Sequence, residues 1–146
     1  MVLARQIAVA PPFPPHAPQG GGLSTIVKRF DRPEQLFVFD SGRLEVITIG
    51  GRTVARGCYA PGWRWSRCAL HDALPRGGTT EPVGVVLSGA ARVASEDGSE
   101  VELHPGDFFQ TVITSEHDEW VVGQRPCEIL YLGGIETLIS WLHGSE

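Results

Sequence analysis

His117 and Glu119 stand two residues apart in the run His117-Asp118-Glu119-Trp120-Val121, and they are the pair in this chain best suited to chemistry. Strand alternation puts His117, Glu119 and Val121 on one face, with Asp118 and Trp120 on the other. An imidazole that titrates near neutrality can pass protons with a neighbouring carboxylate, or both groups can ligate a metal ion. Glu81 and His71, in or beside a Pro/Gly-rich loop spanning His71 to Pro82, are the further candidates. An enclosed site raises a carboxyl pKa and leaves a histidine poised near neutrality, so His117 with Glu119 or Glu81 forms the expected acid/base set. The bland alternatives are a hydrogen-bonded strand-end histidine for His117 and a loop cap for His71. His104 and His143 read as solvent-facing, and His16 belongs to an N-terminal arm.

Trp63, Trp65, Phe109, Trp120 and Tyr131 can wall an apolar pocket against which a flat substrate stacks, or can pack the core as aromatics commonly do. Arg64 or Arg67 can fork onto a substrate carboxylate or oxygen; the competing reading is a surface arginine. Cys58, Cys68 and Cys127 show no Cys-x-x-Cys spacing. They suggest neither a zinc knuckle nor a redox pair, and read as small buried hydrophobes.

The elements that must position these residues are short strands. With 146 residues the chain suits one domain with one core, and 18 Gly and 11 Pro fit many strands joined by tight turns, an all-β class. Strands are expected at Leu36–Phe39, Arg43–Ile49 and Thr53–Tyr59, the latter two joined by a two-residue hairpin at Gly50-Gly51. After the Pro61-Gly62 turn, Trp63 to Leu70 alternates as a strand, with Trp63, Trp65 and Arg67 on one face and Arg64, Ser66 and Cys68 on the other. Further strands are expected at Val83–Ser88, Ala90–Ser95, Glu100–Leu103, Phe108–Ile113, Trp120–Gly123 and Cys127–Leu132. Asp97-Gly98 signals a two-residue hairpin in which both residues take positive φ. Ile135, Leu138, Ile139 and Leu142 recur at helical spacing and predict one short C-terminal helix.

Residues 1–22 carry five prolines and end in Gly20-Gly21-Gly22, an extended or polyproline-like arm with a hinge, ahead of a barrel domain at 23–146. The segment is either a plain tail or an arm that packs on a partner subunit. It makes no convincing secretory signal, so a cytoplasmic location is expected. The apolar runs are far shorter than a membrane span, and a net charge of -5 without a Lys/Arg cluster disfavours nucleic acid.

Five patches occur in order: Pro61-Gly62-Trp63-Arg64-Trp65-Ser66, Val86-Leu87-Ser88-Gly89, Asp97-Gly98, Pro105-Gly106-Asp107 and His117-Asp118-Glu119-Trp120-Val121-Val122-Gly123. With them the span Phe30 to Leu132 resembles the cupin family, small jelly-roll β-barrels that bind ligands in the barrel mouth. The resemblance implies a small single-domain cupin of the RmlC-like jelly-roll type with a homodimeric tendency. It is weak for activity, because cupins include dioxygenases, isomerases, decarboxylases, cyclases, storage proteins and sugar-binding regulators.

Metal-binding cupins draw two His and a Glu from a first motif and a third His from a second. Here the paired His are missing, Glu81-Pro82 stands where a His often precedes the strand, and Thr114-Ser115-Glu116-His117 replaces the Pro-Pro-Gly-His form. The expected function is therefore non-redox acid/base chemistry on a small hydrophobic, oxygen-bearing metabolite, by a cyclase, isomerase, dehydratase or other lyase of secondary metabolism, without a cofactor. One alternative is a dioxygenase holding Fe, Mn, Ni or Zn on His117, Glu119, Glu81 and His71. The other is a binding or sensory module without turnover.

Overall fold

The computed structural model describes residues 5–7, 9, 24–68, 71, 75 and 78–144. Its strands are β1 (Arg5–Ile7), β2 (Gln35–Phe39), β3 (Gly42–Ile49), β4 (Arg52–Tyr59), β5 (Val83–Ser88), β6 (Ala91–Ala94), β7 (Glu100–Leu103), β8 (Phe108–Gln110), β9 (Asp118–Val121) and β10 (Cys127–Gly133). One helix, α1 (Glu136–Gly144), follows. A seven-stranded sheet runs β1-β2-β3-β4-β10-β5-β8, and a three-stranded sheet runs β7-β6-β9. Every pairing is antiparallel.

The two sheets share one core. Phe37, Leu44, Val46, Ala55, Tyr59 and Ile129 of the large sheet pack in one cluster with Ala91, Leu103 and Val121 of the small one. Period-two alternation buries one face of each strand, as in β4, where Ala55, Gly57 and Tyr59 are buried. The ring of Tyr59 lies back over Gly57, where a Cβ would come within 2.5 Å of its hydroxyl oxygen, so only glycine leaves room for that tyrosine. The helix contributes Ile139 and Leu142 to the core, the face its spacing predicts.

Strand positions agree closely with the sequence pattern for β2, β3, β4, β5, β7 and β10. The Gly50-Gly51 hairpin is the expected two-residue turn, with φ of 59° and 73°. The turn at Asp97-Gly98 differs. Ser95 and Ser99 close a three-residue loop, and only Gly98 takes positive φ, at 87°. Asp97 instead accepts hydrogen bonds from the Ser99 N–H (2.9 Å) and hydroxyl (2.6 Å). These local bonds favour the longer loop, and they hold the Asp97 carboxyl below the usual carboxylate range.

The strand expected over Trp63–Leu70 is corrected. Arg64 makes an isolated bridge to Trp120, and Trp65–Arg67 is a 3₁₀ turn. Asp118 is the cause, since its carboxylate accepts from the Ser66 N–H (3.0 Å), the Ser66 hydroxyl (2.9 Å) and Arg64 Nε (2.7 Å), which coils this segment. Trp63 and Trp65 are buried all the same, now with Cys68 rather than Arg67. Residues 69 and 70 lie outside the described residues. The strand expected over Phe108–Ile113 ends at Gln110, and Ile113 makes only an isolated bridge to Thr80. The strand expected at Trp120–Gly123 begins two residues earlier and ends at Val121.

Within the N-terminal arm, Arg5–Ile7 pairs with β2 of the same chain through Arg5↔Val38 and Ile7↔Leu36. The remainder of that arm, apart from Val9, lies outside the described residues. Cys68 and Cys127 are buried free thiols as expected, whereas Cys58 is only half-buried, on the outer face of β4 beside Glu45. Among the described residues no helix is long and apolar enough to cross a membrane.

Candidate functional site

The site is built where β9 crosses under the 3₁₀ turn. Alternation in β9 turns Glu119 and Val121 inward with the preceding His117, and turns Asp118 and Trp120 towards Arg64. His117 is 3% exposed. Its Nε2 lies 2.7 Å from Glu119 Oε1, and its Nδ1 lies 3.2 Å from the Thr114 carbonyl oxygen. A carbonyl only accepts, so Nδ1–H donates to Thr114, and a single proton must then lie between Nε2 and the Glu119 carboxylate. Burial pulls the His117 pKa down, but the hydrogen bond and charge of Glu119, with the Thr114 carbonyl, outweigh it and leave the pKa above its ordinary value. Imidazolium and carboxylate is the form these contacts favour.

The dyad separates two spaces. On the outer side a groove of about 550 Å³ is lined by His117 with Val93, Leu103, Phe109, Thr111 and Val112. On the inner side lies a cavity of about 30 Å³, walled by Glu119, Tyr59, Tyr131, Trp63 and Trp65 and closed by Leu142 of α1. Tyr59 and Tyr131 join hydroxyl to hydroxyl at 2.7 Å. Burial pushes both phenols well above their ordinary pKa, so both stay neutral. The Trp65 ring is flanked by His117 and His71, at centroid distances of 5.7 and 5.8 Å.

The expected site residues divide accordingly. His117 and Glu119 form one unit. Trp63, Trp65 and Tyr131 wall the inner cavity, and Phe109 walls the groove. Glu81 is exposed and lines neither space, although its neighbour Pro82 borders the inner cavity. Arg64 and Trp120 also line neither. The Arg64 guanidinium is bound to Asp118 at 2.7 Å and stacks 4.4 Å from the centre of the Trp120 ring, a clamp between the 3₁₀ turn and β9. His71 sets its Nε2 3.0 Å from the Ser115 carbonyl oxygen, the loop-capping role.

Sequence reasoning missed Tyr59, whose ring folds back over Gly57 so that its hydroxyl meets that of Tyr131, and Leu138 and Leu142 of α1, which border the cavity. Alternation along Thr53–Tyr59 marks Tyr59 as inward-facing. Nothing in the linear order says where α1 docks.

The four candidate metal ligands do not come together as one set. His117 and Glu119 are paired with each other, and His71, on the other flank of the Trp65 ring, sets its Nε2 on the Ser115 carbonyl. Glu81 points to solvent, and no three His, Cys, Asp or Glu side chains among the described residues come together as a ligand set.

No family model matches the chain, and no curated protein matches its sequence. Among solved structures, oxalate decarboxylase from Lactobacillus farciminis superposes with a TM-score of 0.51 at 14% identity, over 78% of this chain and 34% of that one. This chain thus spans about a third of that enzyme. A Rhizobium leguminosarum protein of unknown function matches at 21% identity with a TM-score of 0.44, over 64% of this chain and 80% of that one. The Cupin_2 domain of an XRE-family transcriptional regulator from Enterobacter cloacae matches at 14% identity with a TM-score of 0.43, over 64% and 95% of the two chains. With its antiparallel two-sheet topology and the superposition on the Lactobacillus farciminis oxalate decarboxylase, the chain has the cupin fold, a small β jelly roll with one C-terminal helix.

Proposed function

We propose that the groove is the substrate site of a small enzyme that moves protons without a metal, on a hydrophobic metabolite bearing oxygen: an isomerase, cyclase, dehydratase or other lyase. The observation that carries this reading is the position of His117, which is buried against Glu119 yet forms part of the groove wall. A space of about 550 Å³ falls in the range of small-molecule sites. Val93, Leu103, Phe109 and Val112 give it an apolar lining, and Ser95, Gln110, Thr111 and Thr114 supply hydrogen-bonding groups for oxygen substituents. His117 is the acid/base residue, and Glu119 behind it holds the ring in one orientation and balances its charge. The Nδ1–H, held by the Thr114 carbonyl at the groove wall, is the proton passed to a bound oxygen, leaving a neutral ring whose Nε2–H stays on Glu119; in the reverse sense the neutral Nδ1 takes a proton from an acidic C–H and returns it.

The test is an NMR screen of aromatic and terpenoid alcohols, ketones and acids against labelled protein, followed by product analysis with chelator present. Ligands are expected to shift Phe109, Leu103 and Val112, and His117→Gln should abolish turnover while binding persists. Binding without turnover in the native protein would instead make the chain a ligand-binding module. Turnover that survives His117→Gln would overturn the reading.

The chain is further proposed to pair as a homodimer through β1, the end strand of the large sheet among the described residues, and the nearby apolar side chain of Val38, 37% exposed on β2.

A further inference from the structure

The indole N–H groups of Trp63 and Trp65 are buried and meet no acceptor among the described residues. The two residues are 7% and 3% exposed. Buried N–H donors without partners are rare, because leaving one unmade costs the desolvation of the group. Both tryptophans line one inner cavity, together with Glu119 and the hydroxyl-paired Tyr59 and Tyr131. In that pair one hydroxyl donates to the other, so the second hydroxyl proton is free to reach a further oxygen.

We infer that the inner cavity is a binding site for water, held by the Trp63 and Trp65 indoles as donors and by Glu119 as acceptor. Its size selects the ligand. A water needs roughly 10–15 Å³ of such space, so the cavity of about 30 Å³ takes about two waters and excludes any metabolite. Its chemistry agrees, since a buried water makes two to four hydrogen bonds and the walls offer both donors and an acceptor. An anion is disfavoured by the Glu119 carboxylate, and a purely apolar guest would leave both indoles unpaired. Leu138 and Leu142 of α1 border the same cavity.

In combination with the acid/base reading above, and only in that combination, these waters form a proton store behind Glu119 that serves His117 from the side away from the groove. The water site itself stands without that reading.

The site is tested on the full-length protein by water–indole cross-relaxation, with the Trp63 and Trp65 signals identified through Trp63→Phe and Trp65→Phe or, where a variant does not fold, by through-bond assignment. Both indole protons are expected to show nuclear and rotating-frame Overhauser effects of opposite sign to water, the signature of long-lived bound molecules. Xenon under pressure is expected to leave the methyl signals of Leu138 and Leu142 unmoved. Absence of a water contact at either indole, or xenon entering beside Leu138 and Leu142, overturns the inference. Loss of groove turnover on His117→Gln leaves it untouched, so the two readings fail separately.

Discussion

Glu119 Oε1 and His117 Nε2 are 2.7 Å apart, with side chains 15% and 2% exposed, so the pair shares its proton almost out of reach of solvent. A histidine whose pKa is raised on folding adds stability that is fully present below its unfolded pKa and is lost as pH rises through the folded value. Denaturant midpoints of the native protein should therefore fall from about pH 6.5 upward relative to His117→Gln, whose midpoint lacks this component. The His117 Cε1–H signal should titrate above the ordinary histidine range. A midpoint difference that is flat or widens with pH in that window counts against the shared proton.

Removing one member of the dyad strands the other. Glu119→Leu leaves a buried imidazole without its acceptor, and the expected loss is about 3–5 kcal/mol by urea unfolding, in line with broken buried pairs. Glu119→Gln retains the volume and one acceptor oxygen and should lose less. Equal losses in the two variants would show that shape rather than hydrogen bonding sets the cost.

Asp118 ties the 3₁₀ turn to β9 through Ser66 and Arg64. Burial raises its carboxyl pKa, but Arg64 and the two Ser66 donors outweigh that and leave it lowered. A lowered carboxyl adds stability above its unfolded pKa, which is lost as pH falls from about 4 through the folded value. Asp118→Ala should cost about 1–2 kcal/mol at neutral pH and blunt the acid sensitivity. Arg64 is partly solvated, so Arg64→Ala should cost less than Asp118→Ala.

Leu142 is 1% exposed and closes the inner cavity from α1. Leu142→Ala should destabilise by about 2–5 kcal/mol, the range for a leucine removed from a packed core. If α1 instead only grazes the barrel, calorimetry will find the variant within a few tenths of a kcal/mol of the native protein.

Burial pushes the Cys127 thiol up to about 11 and also raises that of Cys58. The thiolate is the reactive form, so a disulfide reagent at pH 8 should modify Cys127 only on unfolding, with Cys58 slower than a free thiol. Rapid native modification of Cys127 would contradict its burial.

Much of the framework was legible in the chain because it is local. Alternation in Arg43–Ile49 and Val83–Ser88, the Gly50-Gly51 turn and the spacing of Ile135, Leu138, Ile139 and Leu142 each follow from residues close in sequence, and so does the shared face of His117 and Glu119. What only the tertiary structure decided depends on groups far apart along the chain. Asp118 reaches back 52 residues to Ser66 and coils a segment whose alternation reads as a strand. Tyr59 meets Tyr131 across 72 residues. The helix face that spacing could identify had no address until Leu138 and Leu142 met the cavity beside Tyr59 and Tyr131. Periodicity reports which face of an element is apolar, since that is a property of neighbours. Which distant surface it meets is set by the whole packed core, and that is why His117 could be singled out from the chain but the space it serves could not.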